Sequence, residues 1–374
     1  MMQRDALIGE PMVRLTGVAK RYGGGVIALD TLDLDVMKGE FVALLGPSGS
    51  GKTTLLNIIA GMTPPSRGSI HIAGDDMTHL PPSKRNLGMV FQNYALLPHM
   101  SVYENVAFPL RVRKLAEKDI VKKVEAVLDL VQLGHAKKRL PRELSGGQQQ
   151  RVSLARCIVY DPSLILMDEP LGALDKKLRE QMQSEIKRLH KTLGTTILYV
   201  THDQEEALSM ADRIVLFHQG RIVQQASPAD LYFKPRSVFA ANFLGASNIL
   251  STTAVGDGIA QLKSGETIRI GSGAAVINNE PVMILVRPEC LRIERYDETS
   301  HLSAANSVPG QIVSSTILGN VTNHHVLIAD GHTVMAQELT RRTAHDWVPG
   351  EQVKVTWAAA DTRALEPDEM DVHS

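Results

Sequence analysis

Residues 46–54 read GPSGSGKTT, preceded by the apolar run FVALL (41–45) and followed by TLLNIIAGM (54–62). The pattern G-x-x-x-x-G-K-[ST] between a strand and a helix is a phosphate cradle. Gly46, Gly49 and Gly51 let backbone N–H groups converge on anionic oxygens, with Pro47, Ser48 and Ser50 completing the loop. The start of the following helix adds a favourable dipole. Lys52 can reach the outer phosphates, Thr53 can ligate Mg²⁺, and Thr54 closes the motif. These residues read as a site for a nucleotide such as ATP.

Other chemically capable residues fall at strand ends. LILMDEP (164–170) places Asp168 and Glu169 just beyond a buried run. Asp168 suits an Mg²⁺ partner, and Glu169 can polarise an attacking water. Gln92 follows MVF, where it can contact Mg²⁺ or the water. His202 follows TILYVT, where it can donate to a γ-phosphate. In an open parallel sheet, ligands bind beyond the carboxyl ends of the strands. Gly46, Gln92, Asp168, Glu169 and His202 all hold such positions. Tyr22, in KRYGGGVIALD (20–30), can stack on an adenine ring or be an ordinary surface or core tyrosine.

A second glycine pair stands in LSGGQQQ (144–150). Ser145, Gly146, Gly147 and Gln148 open a helix whose free amides can meet an anion, yet they do not follow a strand. One nucleotide cannot readily use both helix starts of a single chain. Two chains facing head to tail can, with each cradle sharing its ATP with the other chain's Ser145 and Gly147.

The elements that must position these residues alternate over about 1–239, strand with helix, as a largely parallel sheet requires. FVALL, LGMVF (87–91), LILM (164–167), TILYV (196–200) and IVLF (214–217) are apolar almost throughout, as strands covered on both faces are. DKKLREQMQSEIKRLHKTL (175–193) carries Leu178, Met182, Ile186, Leu189 and Leu193 on one helical stripe. Residues 93–143 interrupt the alternation as a helical subdomain. From 240 to 360, short β-rich runs separated by Gly, Asn and Asp turns imply a compact all-β barrel. The acidic segment 361–374 reads as a frayed tail. His324–His325 can suggest a metal site, but an exposed pair in a hairpin is the reading favoured here.

Bulk properties narrow the function classes. Hydrophobic residues make up 43% and charged residues 22% of the 374, which is ordinary for a globular protein. No apolar run approaches the ~18 residues of a membrane span, and MMQRDALIGE lacks the apolar core of a secretory signal. Cys157 and Cys290 are the only cysteines, which argues against a disulfide framework and for a reducing compartment. From Ala240 onward there are 9 Lys+Arg against 16 Asp+Glu, a net of −7; before it there are 31 against 25. The acidic C-terminal part is a poor nucleic-acid surface.

The cradle, Gln92, LSGGQ, MDEP, ALD (173–175) and His202, in this order, resemble the ATP-binding-cassette (ABC) ATPases, over about 1–239. The resemblance implies a P-loop NTPase of α/β type with a helical subdomain, and an ATP-driven homodimer of cassettes. It also implies that Tyr22 stacks on adenine and that Asp175 organises the dimer interface. Gly172 stands where the family usually has a serine. FQNYALLPHMSVYENVAFPLRVR (91–113) and THDQEEALSMADRIVLFHQGRIVQQASPADLYFKP (201–235) resemble carbohydrate and polyamine importer subunits. RNLGMVFQ (85–92) with ELSGGQQQRVSLAR (143–156) and LDKKLREQMQSEIKRLHKTLG (174–194) resemble most the spermidine/putrescine type. LVRPE (285–289) and the strands after it resemble the OB-like barrels (TOBE-type) appended to those subunits.

The implied partners are two membrane-spanning permease subunits and, indirectly, a solute-binding protein, with no nucleic acid. The implied location is the cytoplasmic face of the plasma membrane. Tyr94 or Leu97 can line a dock for the permease or belong to the subdomain core. Sugar, glycerol phosphate or ferric ion are alternative solutes. A soluble cassette ATPase of DNA repair or translation is the alternative of another class. Against that alternative, no long heptad insertion and only one P-loop occur.

Overall fold

The computed structural model describes residues 9–172, 174–273, 275–296, 305–342 and 346–366. The chain divides into two compact units, one ending at Pro228 and the other beginning at Ala229.

The first unit is built on two sheets. Strands β1 (Val13–Arg21), β2 (Ile27–Val36), β3 (Phe41–Leu45), β4 (Arg67–Ile72), β5 (Asp75–Asp76) and β6 (Gly88–Val90) come first, with helix α1 (Lys52–Ala60) among them. Helices α2 (Val102–Val112) and α3 (Glu117–Leu130) lie within 93–143, the segment read as a helical subdomain, and α4 (Gly146–Ile158) follows it. Then come β7 (Leu164–Asp168), α5 (Lys176–Leu193), β8 (Thr196–Thr201), α6 (Gln204–Met210), β9 (Arg213–His218) and β10 (Arg221–Ala226). The larger sheet runs β10-β9-β3-β8-β7-β6, parallel except for the β10 edge. The smaller, β2-β1-β4-β5, is antiparallel.

The unbroken apolar runs have a direct structural reason. Alternate residues of a strand face opposite ways, and here both faces are covered. Leu164 and Leu166 join a core with α1 and the antiparallel sheet, including Leu15, Leu55, Ile58 and Ile70. Ile165 and Met167 join a second core with the helical subdomain, α4 and α5. The stripe on α5 buries Met182, Ile186 and Leu189, while Leu193 at the helix end stays 39% exposed.

The second unit begins with α7 (Pro228–Phe233) and α8 (Val238–Phe243), the first starting at the boundary itself. Its strands are β11 (Asn248–Gly256), β12 (Ile259–Gln261), β13 (Thr267–Arg269), β14 (Ser272–Gly273), β15 (Pro281–Val286), β16 (Arg292–Arg295), β17 (Ala305–Ile317), β18 (Val321–Ile328), β19 (Thr333–Leu339), β20 (Gln352–Ala358) and β21 (Arg363–Leu365). The expected small all-β domain is therefore built of two sheets, β13-β12-β11-β15-β21-β14 and β16-β20-β17-β18-β19. They share a core of Leu250, Ile284, Val308, Val326, Val355 and Trp357 among others.

Within the segment read as a tail, β21 pairs with β15, setting Ala364 opposite Ile284. Residues 367–374 lie outside the described residues, as do 1–8, which hold most of the MMQRDALIGE leader reading, and Ala173 of ALD. The histidine pair departs from expectation. His324 is not exposed in a turn: it lies within β18, 4% exposed, bonded to Ser315 Oγ at 2.7 Å and Glu338 Oε1 at 2.9 Å. The strand's period of two turns His324 inward and leaves His325 half-buried. Among the described residues there is no metal-holding cluster.

Candidate active site

The loop from Gly46 to Gly51 leaves β3 and enters α1, and its glycines are there for space and backbone freedom. A Cβ on Gly46 would stand 2.3 Å from the Phe217 carbonyl oxygen. Gly51 has φ +102°, and a Cβ there would lie 2.5 Å from Ala28 O and 2.7 Å from Leu29 Cδ2. Gly49, at φ +80°, faces open space, so only its backbone conformation calls for glycine. Ser50 is buried, and its carbonyl accepts from Gly220 N at 3.0 Å, which ties the loop to β10's approach. Pro47 O accepts from Ser50 N at 3.3 Å, and Ser48 lies between them.

Lys52, the first residue of α1, is 4% exposed, and its Nζ donates to Gly46 O and Pro47 O, both at 2.8 Å. Burial draws its pKa below the ordinary lysine value, opposed by the nearby Glu169 and Asp168 carboxylates. Thr53 Oγ1 donates to Asp168 Oδ1 at 3.0 Å. Burial pushes the Asp168 carboxyl above its usual range, the Thr53 hydrogen bond opposing, with Glu169 raising and Lys52 lowering. A hydroxyl and a carboxylate held together are oxygen ligands of the kind a hard cation such as Mg²⁺ takes. Thr54 follows on the first turn of α1.

Glu169 stands at the centre. Gln92 Nε2 donates to its Oε2 at 3.4 Å, and His202 Nδ1 lies 3.2 Å from its Oε1. Glu169 adopts φ +42°, a left-handed conformation that costs a non-glycine residue free energy and concentrates at functional sites. Its N–H donates to Val200 O at 3.0 Å, which fixes the turn against β8.

His202 is held by its neighbours. Thr201 Oγ1 donates to Glu206 Oε2 at 2.7 Å and accepts from Asp203 N at 2.9 Å. Asp203 caps α6 through the Glu205 and Glu206 amides, and Arg179 pairs with Asp203 Oδ2 at 2.9 Å. Burial pushes the Glu206 carboxyl upward, with hydrogen bonds from Thr201 and Tyr199 opposing. Arg179, Asp203 and Glu206 were not among the residues expected from sequence. The D-x-x-E spacing of Asp203 and Glu206 before an apolar helix was the available signal.

The remaining expected residues stand elsewhere in the first unit. Tyr22 follows β1 directly, 45% exposed, with Lys20 Nζ 5.0 Å from its ring centroid. Ser145 caps α4: its hydroxyl accepts from Gln148 N while Gln148 Oε1 accepts from Ser145 N. A Cβ on Gly147 would meet Leu178 at 2.8 Å, and one on Gly146 would meet Leu174 at 3.5 Å. These two glycines thus let α4 begin against the start of α5. Asp175 caps α5 through Leu178 N at 2.9 Å. No hydrogen bond or ion pair among the described residues joins Ser145–Gln148 or Asp175 to the cradle. Tyr94 proves to be core, 7% exposed, because its ring turns inward, and it offers no surface to a dock.

The sequence profile of the ABC transporter family matches residues 29–172, and that of the TOBE domain matches residues 284–365. The spermidine/putrescine import ATP-binding protein PotA of Nitratidesulfovibrio vulgaris is 43% identical over 352 residues, 92% of this chain and 95% of that protein. The chain belongs to the ABC transporter family. It is an ATP-binding and ATP-hydrolysing cassette. The Thermobifida fusca protein of the same description is 42% identical, covering 93% of this chain and 91% of its own.

Among solved structures, cbiO1 from Clostridium perfringens, part of the transporter complex cbiONQ, shares 28% identity at a TM-score of 0.57. The match covers 63% of this chain and 93% of that one. The cassette MJ0796, a dimer in a post-hydrolysis state bound to ADP and Pi, shares 34% identity at 0.53, covering 58% and 99%. No helix among the described residues of the cassette is long and apolar enough to cross a membrane.

Proposed function

We propose that this chain is the ATP-hydrolysing subunit of a membrane importer for polyamines of the spermidine/putrescine class. The observation that carries the catalytic part is the Glu169 carboxylate, held between Gln92 and His202 beside the Lys52 cradle. What supports the solute is similarity over nearly the full length of proteins described as spermidine/putrescine import subunits.

In this reading Gly46–Thr54 bind the phosphates of ATP, Lys52 neutralises the β- and γ-phosphate oxygens, and Tyr22 stacks on the adenine. Thr53, Gln92 and Asp168 hold Mg²⁺, which when bound neutralises charge on the phosphate oxygens. Glu169 accepts a proton from the attacking water as the water oxygen bonds to the γ-phosphorus and the bond to the β-phosphate oxygen breaks. His202 donates to the γ-phosphate. Gln92 aligns the water.

Two cassettes, each of about residues 1–239, close head to tail. Ser145, Gly146, Gly147 and Gln148 of one copy meet the γ-phosphate held by the other, with Asp175 at the seam. The β domain of about 240–360 follows. The chain acts at the cytoplasmic face of the plasma membrane with two permease subunits, which receive solute from a binding protein.

The test is the ATPase rate of the complex reconstituted with its permease subunits and binding protein. Putrescine, spermidine, maltodextrin, glycerol phosphate and ferric ion form the ligand panel. Stimulation by a polyamine alone is the expected result. Stimulation by another ligand refutes the solute, and no stimulation with no co-purifying permease refutes the transport role.

A further inference from the structure

Between Gln92 and α2 the chain passes through two consecutive left-handed residues, Tyr94 at φ +58° and Ala95 at φ +46°. Neither is glycine, and side chains resist this conformation. The surrounding structure must therefore hold it. Two donors from α4 do so. Arg156 Nη1 donates to Ala95 O at 2.6 Å, and its Nη2 donates to Tyr94 O at 2.8 Å. Ser153 Oγ donates to the same Tyr94 O at 3.1 Å. The planar guanidinium fork matches two carbonyls at once, and lysine, a point charge, cannot.

The far end of the loop is fixed separately. Buried Asn105 of α2 accepts from Leu97 N at 2.8 Å and donates to Leu97 O, Met100 O and Ser101 O. Gln92, whose amide reaches Glu169, stands two residues before the first anchored carbonyl. Three residues before Ser153, Gln150 is fully buried in α4 with neither side-chain polar atom hydrogen-bonded, and the buried Tyr94 hydroxyl also lacks a partner. At the left-handed pair itself, the side-chain hold is Arg156 on both carbonyls and Ser153 on that of Tyr94.

We propose that Arg156 is a positioning residue for hydrolysis. By clamping the Tyr94 and Ala95 carbonyls it sets where Gln92 meets Glu169. It also links that meeting to α4, the helix that begins at Ser145. The inference rests on the hydrolytic roles given above to Gln92 and Glu169.

Two measurements on the cassette test it. Hydrogen exchange of residues 92–97 reads the clamp without reference to catalysis: Arg156→Lys raises exchange there and leaves α1 protected. A double-mutant cycle reads its consequence. Arg156→Lys lowers kcat about tenfold, the scale of one charge-assisted hydrogen bond, with the KM for ATP changed less than about twofold. In a Gln92→Ala background it has no further effect on kcat.

Unchanged exchange at 92–97 overturns the clamp. A kcat loss that persists additively in Gln92→Ala overturns the positioning role in favour of general destabilisation. If Gln92→Ala itself leaves kcat intact, the assignment of Gln92 fails, and the exchange result alone decides the clamp. Ser153→Ala, which removes one neutral bond, raises exchange at 92–97 less than Arg156→Lys does.

Discussion

His202 Nδ1 lies 3.2 Å from Glu169 Oε1. The two residues come from adjacent strand ends, β7 and β8, so the spacing of the parallel sheet fixes their separation. Replacing Glu169 with Gln keeps the shape and removes the base. ATP hydrolysis by Glu169→Gln falls more than about a hundredfold, while Mg·ATP binding persists and the ATP-bound dimer accumulates. Steady-state ATPase rates and light scattering at saturating Mg·ATP check both. A persistent monomer there counts heavily against the head-to-tail arrangement.

Asp168 sets stability against function. Burial raises its folded-state pKa above the ordinary 3.8. A raised carboxyl stabilises the fold below its unfolded pKa, and that contribution is lost as pH rises through the folded value. At pH 7 the nucleotide-free chain therefore carries a desolvated charge. Asp168→Asn melts about 1–3 °C higher at pH 7, and the gain shrinks as pH falls toward 3.8. The same variant loses Mg²⁺-dependent ATPase activity. An unchanged or lower Tm at pH 7 contradicts the sign.

Ser145 has a local role, capping α4, and a proposed role across the dimer. In the nucleotide-free chain Ser145→Ala loses the cap, about 1 kcal/mol of stability. Ser145→Arg adds a bulky side chain where the second nucleotide must sit. It blocks ATP-dependent closure while a fluorescent ATP analogue still binds the cradle. Equal dimerisation of the Arg variant and the wild type would remove Ser145 from the interface.

Gly49 and Gly51 separate conformational freedom from space. Gly49→Ala meets open surroundings and costs about 1 kcal/mol for its backbone alone. Gly51→Ala also drives a Cβ into Ala28 O and Leu29 Cδ2, and costs about 2 kcal/mol or more. Urea unfolding of the nucleotide-free chain gives this order. Equal costs refute the steric account of Gly51.

Much was legible in the residues themselves because it depends on neighbours along the chain. Strand, loop and helix at FVALL–GPSGSGKTT–LLNIIA follow from apolar period and glycine placement, and the structure has β3, the cradle and α1 in those positions. Ser145 before Gly146–Gln148 signals a helix start by its own capping chemistry. Strand ends were enough to gather Gln92, Asp168, Glu169 and His202 at one edge, because a parallel sheet orders its carboxyl ends together.

Only the tertiary structure decided the contacts between those points. Thr53 meets Asp168 across 115 residues and Gln92 meets Glu169 across 77, distances over which no local period carries information. Arg156 looks like an ordinary basic residue on an amphipathic helix until packing brings two left-handed carbonyls to it. His324 turned inward because the register of β17, β18 and β19 set Ser315 and Glu338 beside it. The sequence by itself determined which chemistry the chain carries and on which local elements. Which carboxylate, amide and guanidinium touch was settled by strand register and helix packing, which arise only when distant segments are brought together in one core.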